Sequence, residues 1–451
     1  MTRAAAFLGS GRKRIAVVGA GIAGLVAAER LARAHDVVVF EAEARLGGHT
    51  HTVDVPTKDG GSVAVDTGFI VCNDRTYPDF LALMARIGVP LRPSSMSFSL
   101  RCERTGLEYN GTSVNALFAQ RRNLFNPSFL RMIADILRFN GRARALLAGD
   151  DDRITLGEYL AREGYSRAFI ERYILPMGRA IWSATGRGML DFPARFFVDF
   201  FDRHGFLNVD DRPTWRTVSG GSREYARRLI APFRDRIRLS TPVRRVLRDA
   251  TGVRISSEGP QGLTDERFDA VFFACHSDQA LAVLGDADPA EREILGAFPY
   301  QANDAVLHLD RRMRPRAPLA RAAWNYHLLD PDTERVALTY DMSLLQSLDS
   351  PEPFLVTLNR SADIDPALVL GRYTYHHPVY TPAAVAAQRR RGEISGKRQT
   401  YFCGAYWRYG FHEDGVVSGL WALQDFAAAT GSAPPPAPKL EPTRRSLKAS
   451  A

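Results

Sequence analysis

Residues 15–41 read IAVVGAGIAGLVAAERLARAHDVVVFE, and no other stretch leaves the chain so little freedom of fold. Residues 15–18 form a short apolar, β-branched run, the pattern of a strand buried on both faces of a parallel sheet. Gly19, Gly21 and Gly24 follow as G-x-G-x-x-G. The first permits a tight turn, the second lets a pyrophosphate approach the backbone, and the third lets the next helix pack closely on the strand. Residues 22–34 are rich in Ala and Leu, so a helix starts at Ile22 and Ala23 with its positive end aimed at the phosphates. A second strand, 37–40, ends in Glu41, about twenty residues past the glycines, where a carboxylate takes a ribose hydroxyl pair. Strand, glycines, helix, strand and acid in that order predict a dinucleotide site. They do not say whether the dinucleotide is NAD or FAD.

A chain of 451 residues holds two or three domains with substantial cores. Hydrophobic and charged fractions of 45% and 24% are those of an ordinary globular protein. The net charge of +9 is carried almost wholly by arginine, since only five of the 59 basic residues are lysine. The arginines are spread along the chain without a nucleic-acid motif, so no nucleic-acid partner is expected. A solvated basic surface and attraction to an anionic membrane remain as the two readings. Cys72, Cys102, Cys275 and Cys403 show no metal or redox spacing, which predicts free thiols and a reducing compartment. The opening MTRAAAFLGSGRKR has too short an apolar run for a signal peptide, and no apolar run reaches the length of a membrane span. The expected location is cytoplasmic, with peripheral contact on the inner face of the cell membrane as a further option.

Further along, SVAVDTGFIV at 62–71 reads as strands around an Asp66-Thr67-Gly68 turn. Residues 79–214 read as mostly helical, with a capping box at Thr155 and Glu158 in TLGE. Strand patterns return in RIRLSTPVRRVLRDATGVRISS and DAVFFACH, and a last strand and helix occupy TYFCGAYWRYGFHEDGVVSGLWALQDF. The final residues, GSAPPPAPKLEPTRRSLKASA, are Pro-, Ala- and charge-rich and read as a disordered tail. The expected fold is α/β. A Rossmann-like nucleotide-binding domain is assembled discontinuously from 13–78, 215–284 and 396–430. A substrate domain of helices and a mixed β-sheet is inserted as 79–214 and 285–395, and the tail runs over 431–451.

The choice between dinucleotides turns on AEARLGGHTHT, directly after Glu41. With Glu41, Arg45, Gly47 and Gly48 it resembles the second signature of the FAD-dependent amine oxidase and phytoene desaturase superfamily. An extended FAD needs a second glycine turn where its pyrophosphate and ribityl chain pass the backbone, and NAD does not. YFCGAYWRYGFHEDGVVSGLWAL resembles the superfamily's closing motif, in which a glycine-ended strand meets the ribityl region and a helix N-terminus points at the flavin ring. The resemblance implies FAD as cofactor. It implies contacts from Gly19, Gly21, Ile22, Ala23, Gly24, Glu41, Ala42, Arg45, Gly47, Gly48, His49, Gly68, Phe69, Val243, Gly404, Asp414, Gly415 and Val416. Two departures stand out: His49 replaces the common arginine, and Ala405 replaces the acid after the strand glycine, leaving Asp414 or Glu413 to supply it.

Many amine oxidases of this superfamily keep a lysine that holds a water at flavin N5, yet no lysine lies between Lys58 and Lys397. The middle of the chain is greasier. Residues 124–148 place Arg131, Asp135, Arg138 and Arg142 on one helical face and Phe129, Ile133, Ile136 and Leu137 on the other. Such a basic amphipathic helix either lies on an anionic membrane or packs on its own core. Phe192, Phe196, Phe197, Phe200, Phe201 and Phe206 either line an acyl-chain tunnel or form an aromatic core.

ILPMGRAIWSATGRGMLDFPARFF, RPTWRTVSGGS, WNYH and YTYHHPVYTP resemble a bacterial flavoprotein group encoded beside cyclopropane-fatty-acyl-phospholipid synthases. That resemblance implies oxidation or desaturation of an acyl chain of a methyl-branched membrane phospholipid, by hydride transfer to flavin N5, with oxygen or another electron acceptor. Candidate substrate residues are Phe196, Phe197, Phe200, Trp324, Asn325 and Tyr375. His376 and His377 have the pKa range of a base, or are simply strand-end residues beside Pro378. His49 and His51 lack a third ligand, so no metal site is expected. Two alternatives stay open: oxidation of a small amine, and a flavin-free lipid escort of the GDP dissociation inhibitor kind, although the intact glycine loops argue against the escort.

Overall fold

The computed structural model describes residues 11–58, 60–149, 153–330 and 334–439. Its organising element is a five-stranded, all-parallel sheet in the order Ile237–Arg238, Asp36–Phe40, Arg14–Val18, Ala270–Phe273, Thr400–Phe402. Strands from the beginning, middle and end of the chain therefore meet in one sheet. Their Val, Ile and Phe side chains are buried on both faces, which explains the absence of polar alternation in the sequence. A three-stranded antiparallel meander, Val243–Asp249, Gly252–Gly259 and Gly262–Phe268, stands beside it.

Helix Ile22–Leu31 is buried at every residue except Arg30. A Cβ at Gly24 would sit 2.0 Å from the Gly19 carbonyl oxygen. The last helix, His412–Thr430, packs against this first helix. Gly415 and Gly419 allow the approach, because a Cβ there would meet Ile22 Cγ2 at 2.6 Å and the Ala23 carbonyl oxygen at 2.9 Å.

A seven-stranded mixed sheet forms the second layer, in the order Val369–Pro378, Tyr300–His308, Leu355–Leu358, Leu338–Asp341, Trp324–Leu328, Phe98–Cys102, Glu108–Asn110. Every pairing is antiparallel except Trp324–Leu328 with Phe98–Cys102. Residues 79–214 are mostly helical, but Leu91–Pro93, Phe98–Cys102 and Glu108–Asn110 are strands, and apart from helix Pro78–Ile87 the helices lie from 114 onward. The strands are three to five residues long, too short to show a period of two against their surroundings. The capping box at Thr155 and Glu158 is present.

Helix Pro127–Arg142 is rotated from the expected orientation. It buries Phe129, Met132, Asp135 and Phe139, and it exposes Leu137. Asp135 lies inward because Arg131, Arg138 and the Ser166 N–H neutralise it at 3.3, 3.0 and 3.0 Å. Among the described residues, no helix is long and apolar enough to cross a membrane. Of the expected tail, residues 440–451 lie outside the described residues. Residues 432–438 carry no regular element, and the Lys439 N–H donates to both carboxylate oxygens of Asp79 at 2.9 Å.

Candidate active site

One cavity of about 1340 Å³ runs from the carboxyl ends of the parallel strands to the inner face of the seven-stranded sheet. At the first end, Gly19 (φ +106°) turns the chain from strand to helix, a conformation that favours glycine. Helix Ile22–Leu31 then begins with no side-chain cap and no acid in its first turn. Its free N–H groups and its dipole make an anion site. A Cβ on Gly21 would meet nothing within 4 Å, so the backbone there borders open space. The Gly47-Gly48 turn (φ +109° and +57°) lies against this one, joined by the Gly47 N–H to the Ala20 carbonyl at 2.8 Å. Arg45 closes the second turn by donating to the Gly48 carbonyl at 2.8 Å.

Glu41 stands at the far edge. Its carboxylate accepts from the Ala20 N–H at 2.8 Å and the Glu43 N–H at 3.0 Å, which fixes it facing the cavity. Val243 also lines the cavity, at a bulge between Val243 and Arg245 that interrupts the meander ladder. Two glycine turns, an uncapped helix and a fixed ribose acid fit an extended dinucleotide with two sugar–phosphate halves. FAD has that shape, and the cavity continues past the second turn, where its flavin ring would lie beside His49, Phe69, Gly404 and Gly415.

The turn at residues 66–68 is locked from beneath. Asp66 is buried and accepts from the Ser222 N–H (2.9 Å), the Ser222 and Thr52 hydroxyls (2.8 and 2.5 Å) and the Gln346 amide (2.9 Å). Burial outweighs these bonds and pushes its carboxyl up to about 6. Phe69 stacks on His412 at 3.7 Å between centroids. His412 Nε2 lies 2.6 Å from the Tyr225 hydroxyl and 3.1 Å from that of Thr50. Burial drives its imidazole down to about 3. The cluster of Thr50, Tyr225 and His412 was invisible in the sequence, because its members are 362 residues apart at the extreme and carry no motif.

At the other end the walls are Met96, Phe98, Tyr109, Tyr173, Met177, Ile181, Trp324, Tyr340 and Leu358. Tyr375 and His377 stand where the two ends meet, with His49 at 5.1 Å from the first ring and 5.3 Å from the second. The Tyr375 hydroxyl bonds with that of Thr67 at 2.7 Å. The Asn303 amide donates to His377 Nδ1 at 3.3 Å, and the Ser183 hydroxyl lies 3.0 Å from the same atom. Burial, then the neighbouring His276 and His376, push His377 down to about 4, and burial above all holds His49 well below its ordinary value. Both imidazoles are neutral at pH 7, so neither charges the cavity. His376 is exposed, with its ring edge-on to His276 at 6.2 Å.

Several expected contacts are placed elsewhere. Asp414 does not border the cavity: it pairs with Arg408 at 2.9 Å and accepts from the Phe411 N–H. Glu413 accepts from the Asp79 and Phe80 N–H groups and caps the helix they begin. Gly24 and Val416 pack between the sheet and the two helices. Phe197 is core, Phe196 packs on Tyr380 and Tyr409, and Phe200 alone of the three borders the cavity. Asn325 is buried in the sheet, bonded to Ser99, Ala322 and Thr339. A one-residue shift along an alternating strand exchanges wall for interior, so Trp324 faces the cavity and Asn325 does not. The walls that sequence reasoning missed come from Phe98–Cys102, Glu108–Asn110 and the helix Leu175–Trp182, each readable only as ordinary core.

Known proteins agree with this geometry. The sequence profile of the family described as flavin containing amine oxidoreductase matches residues 22–306. A Mycobacterium tuberculosis protein that carries the name flavin-containing monoamine oxidase AofH is 27% identical over 267 residues, 55% of this chain and 54% of that one. An L-amino-acid oxidase of Siganus canaliculatus is 25% identical over 322 residues, 65% of this chain and 56% of that one. The chain thus spans about half the length of the curated relatives it matches. Cyclohexylamine oxidase from Brevibacterium oxydans IH-35A superposes with a TM-score of 0.66 at 17% identity, over 93% of this chain and 99% of its own. A fatty acid isomerase from P. acnes that produces CLA superposes at 0.62 with 19% identity over the same shares. At such identities the two structures establish a shared fold only. The profile covers well over half of the chain and the cavity fits the cofactor, so this chain belongs to the flavin-containing amine oxidoreductase family and takes FAD.

Proposed function

We propose that the protein is an FAD-dependent oxidoreductase whose substrate is an uncharged apolar chain, specifically an acyl chain of a methyl-branched membrane phospholipid. The observation that carries this reading is where charge stands around the cavity. Among the described residues its only lining carboxylates are Glu41 and Glu43, both at the adenosine end, no lysine lines it, and its lining cations are Arg45, Arg212 and Arg244. Lys58 and Lys397 are exposed on the surface. An ammonium substrate buried against Met177, Tyr340 and Leu358 would be desolvated with no counter-ion, at a cost of several kcal/mol. A hydrocarbon chain gains from the same walls.

Bound FAD would supply a hydride acceptor at N5; the substrate would then lose one hydrogen as hydride and a neighbouring one as a proton to water, gaining a C=C bond. The chain's own part is to position and to keep dry. Asn303 and Ser183 hold His377 by Nδ1, which leaves its proton on Nε2 as a neutral donor. Thr67 and Tyr375 fix the junction between the two ends of the cavity. Electrons return to oxygen or another acceptor.

Oxidation of a small amine is the second reading, favoured by the names of the curated relatives and of several structural neighbours. Product analysis separates them. Holoenzyme incubated with phospholipid bearing methyl-branched unsaturated chains is expected to yield lipid lighter by two hydrogens, with no aldehyde or ammonia from a panel of simple amines. Amine turnover with unaltered lipid would overturn the acyl reading.

A further inference from the structure

Helix Pro127–Arg142 does not meet solvent with a purely polar face. Leu137 is 56% exposed, and nearby Val114 and Phe125 are 75% and 86% exposed, with Leu124, Leu130 and Leu319 exposed around them. These residues share one neighbourhood. The short helix Val114–Leu117 contacts the turn Pro318–Ala320, and the turn Arg121–Phe125 contacts helix Pro127–Arg142. A single exposed apolar side chain needs no account, but a group of six does.

The charge along this segment is almost all of one sign, and Glu171, on the turn packed against its helix, is paired with Arg167. Residues 111–149 contain six arginines and one acid, Asp135. That acid is buried and neutralised by Arg131 and Arg138. Arg121 and Arg122 are anchored on oxygens of Asn115, Phe118 and Gly106 that carry no charge. The three aspartates at 150–152 lie outside the described residues. Exposed hydrocarbon rimmed by cations is complementary to a surface that offers both hydrocarbon and negative charge.

We propose that this face docks on an anionic lipid bilayer, with Val114, Phe125 and Leu137 entering the boundary between headgroups and acyl chains and Arg121, Arg122, Arg131 and Arg142 meeting lipid phosphates. The exposed Gly111 and Thr112 line the cavity and stand just before Val114 in the chain. Docking therefore sets the rim of the cavity against the lipid. Tyr109, on the cavity wall, packs on Phe129 at 5.6 Å, so the docking helix is also a wall support. The proposal goes beyond the acyl-chain reading and does not need it, since an enzyme for any ligand can sit on a membrane.

Flotation with phosphatidylcholine vesicles, with and without phosphatidylglycerol, tests it on the full-length holoprotein. Binding is expected only with phosphatidylglycerol, and weakening with salt. Arg121→Glu with Arg122→Glu is expected to reduce partitioning at least about 25-fold, at about fivefold for each arginine. Phe125→Ser with Leu137→Ser is expected to weaken it also, with the flavin spectrum and melting profile unchanged because all four residues are exposed. Equal binding to neutral vesicles, no binding at low salt, or binding indifferent to both double variants would each overturn the proposal. So would a dimer in solution that Phe125→Ser dissociates without any vesicle binding, because the occupant would then be a second copy. Vesicle binding without lipid oxidation leaves this surface standing and removes the acyl reading. Oxidation of detergent-dispersed lipid without vesicle binding does the reverse.

Discussion

The two ends of the cavity are built by different means. The cofactor end is made of backbone: two glycine turns, a bare helix N-terminus and a strand bulge, with Glu41 as its one committed side chain. The substrate end is made of side chains, contributed by strands and helices far apart in sequence. Backbone geometry tolerates almost no substitution, because a Cβ either fits or collides. A wall of Met, Tyr, Trp and Leu tolerates many exchanges of similar volume. The difference teaches that the first end fixes the cofactor while the second is free to choose the substrate.

Gly24→Ala breaks the comparison hardest. The new Cβ would lie 2.0 Å from the Gly19 carbonyl, so helix and strand must separate. Loss of bound FAD and of about 3 kcal/mol or more of stability is expected, read from flavin absorbance and a denaturant melt.

Met177→Trp probes the other end, where added volume should narrow the chamber and leave the cofactor alone. An unchanged flavin spectrum with kcat/KM lowered about a hundredfold is expected. If both fell together, the two ends would not be separable.

Acid should weaken the whole molecule. Burial, their largest cause, holds His51, His204, His308 and His377 at about 4 and His412 at about 3, against 6.5 when unfolded. Below 6.5 the unfolded chain takes up protons that the native one refuses, so stability falls as pH drops from 6.5 toward 4. Each group contributes a slope of up to about 1.4 kcal/mol per pH unit. Buried carboxyls oppose this: Asp66, raised to about 6, between 6 and 3.8, Glu413, raised to about 8, between 8 and 4.5, and Asp341 and Asp414, also raised. The histidines outnumber these four, since His35, His49, His276 and His327 are lowered as well. Melting temperatures measured across that range are expected to fall, and a flat or rising profile would remove the neutral-histidine account.

The smallest effect is expected for Gly141→Ala, in the helix at the substrate end. A Cβ there meets nothing within 4 Å and φ is not positive, so a gain of up to about 1 kcal/mol with unchanged activity is expected from the melt.

What was legible follows the same division. Gly19, Gly21, Gly47, Gly48 and Glu41 could be read from the chain because each has one physical role that few other residue types fill. Asp414 was misread because two adjacent acids start one helix, and sequence cannot show that Arg408 draws one away while the helix at Asp79 takes the other. Phe196 and Phe197 stood open between wall and core because composition marks a residue as apolar without saying which side of it is empty. The face of helix Pro127–Arg142 was misjudged because a buried, doubly paired Asp135 defeats any periodicity that counts charge as outward.

The most direct measurement is the visible spectrum of the purified holoprotein under anaerobic titration, first with methyl-branched unsaturated phospholipid and then with simple amines. Bleaching of the oxidised flavin band by the lipid, with the amines inert, is the predicted result. Bleaching by amines alone would contradict it and show that a cavity without a carboxylate at its substrate end still takes a cation.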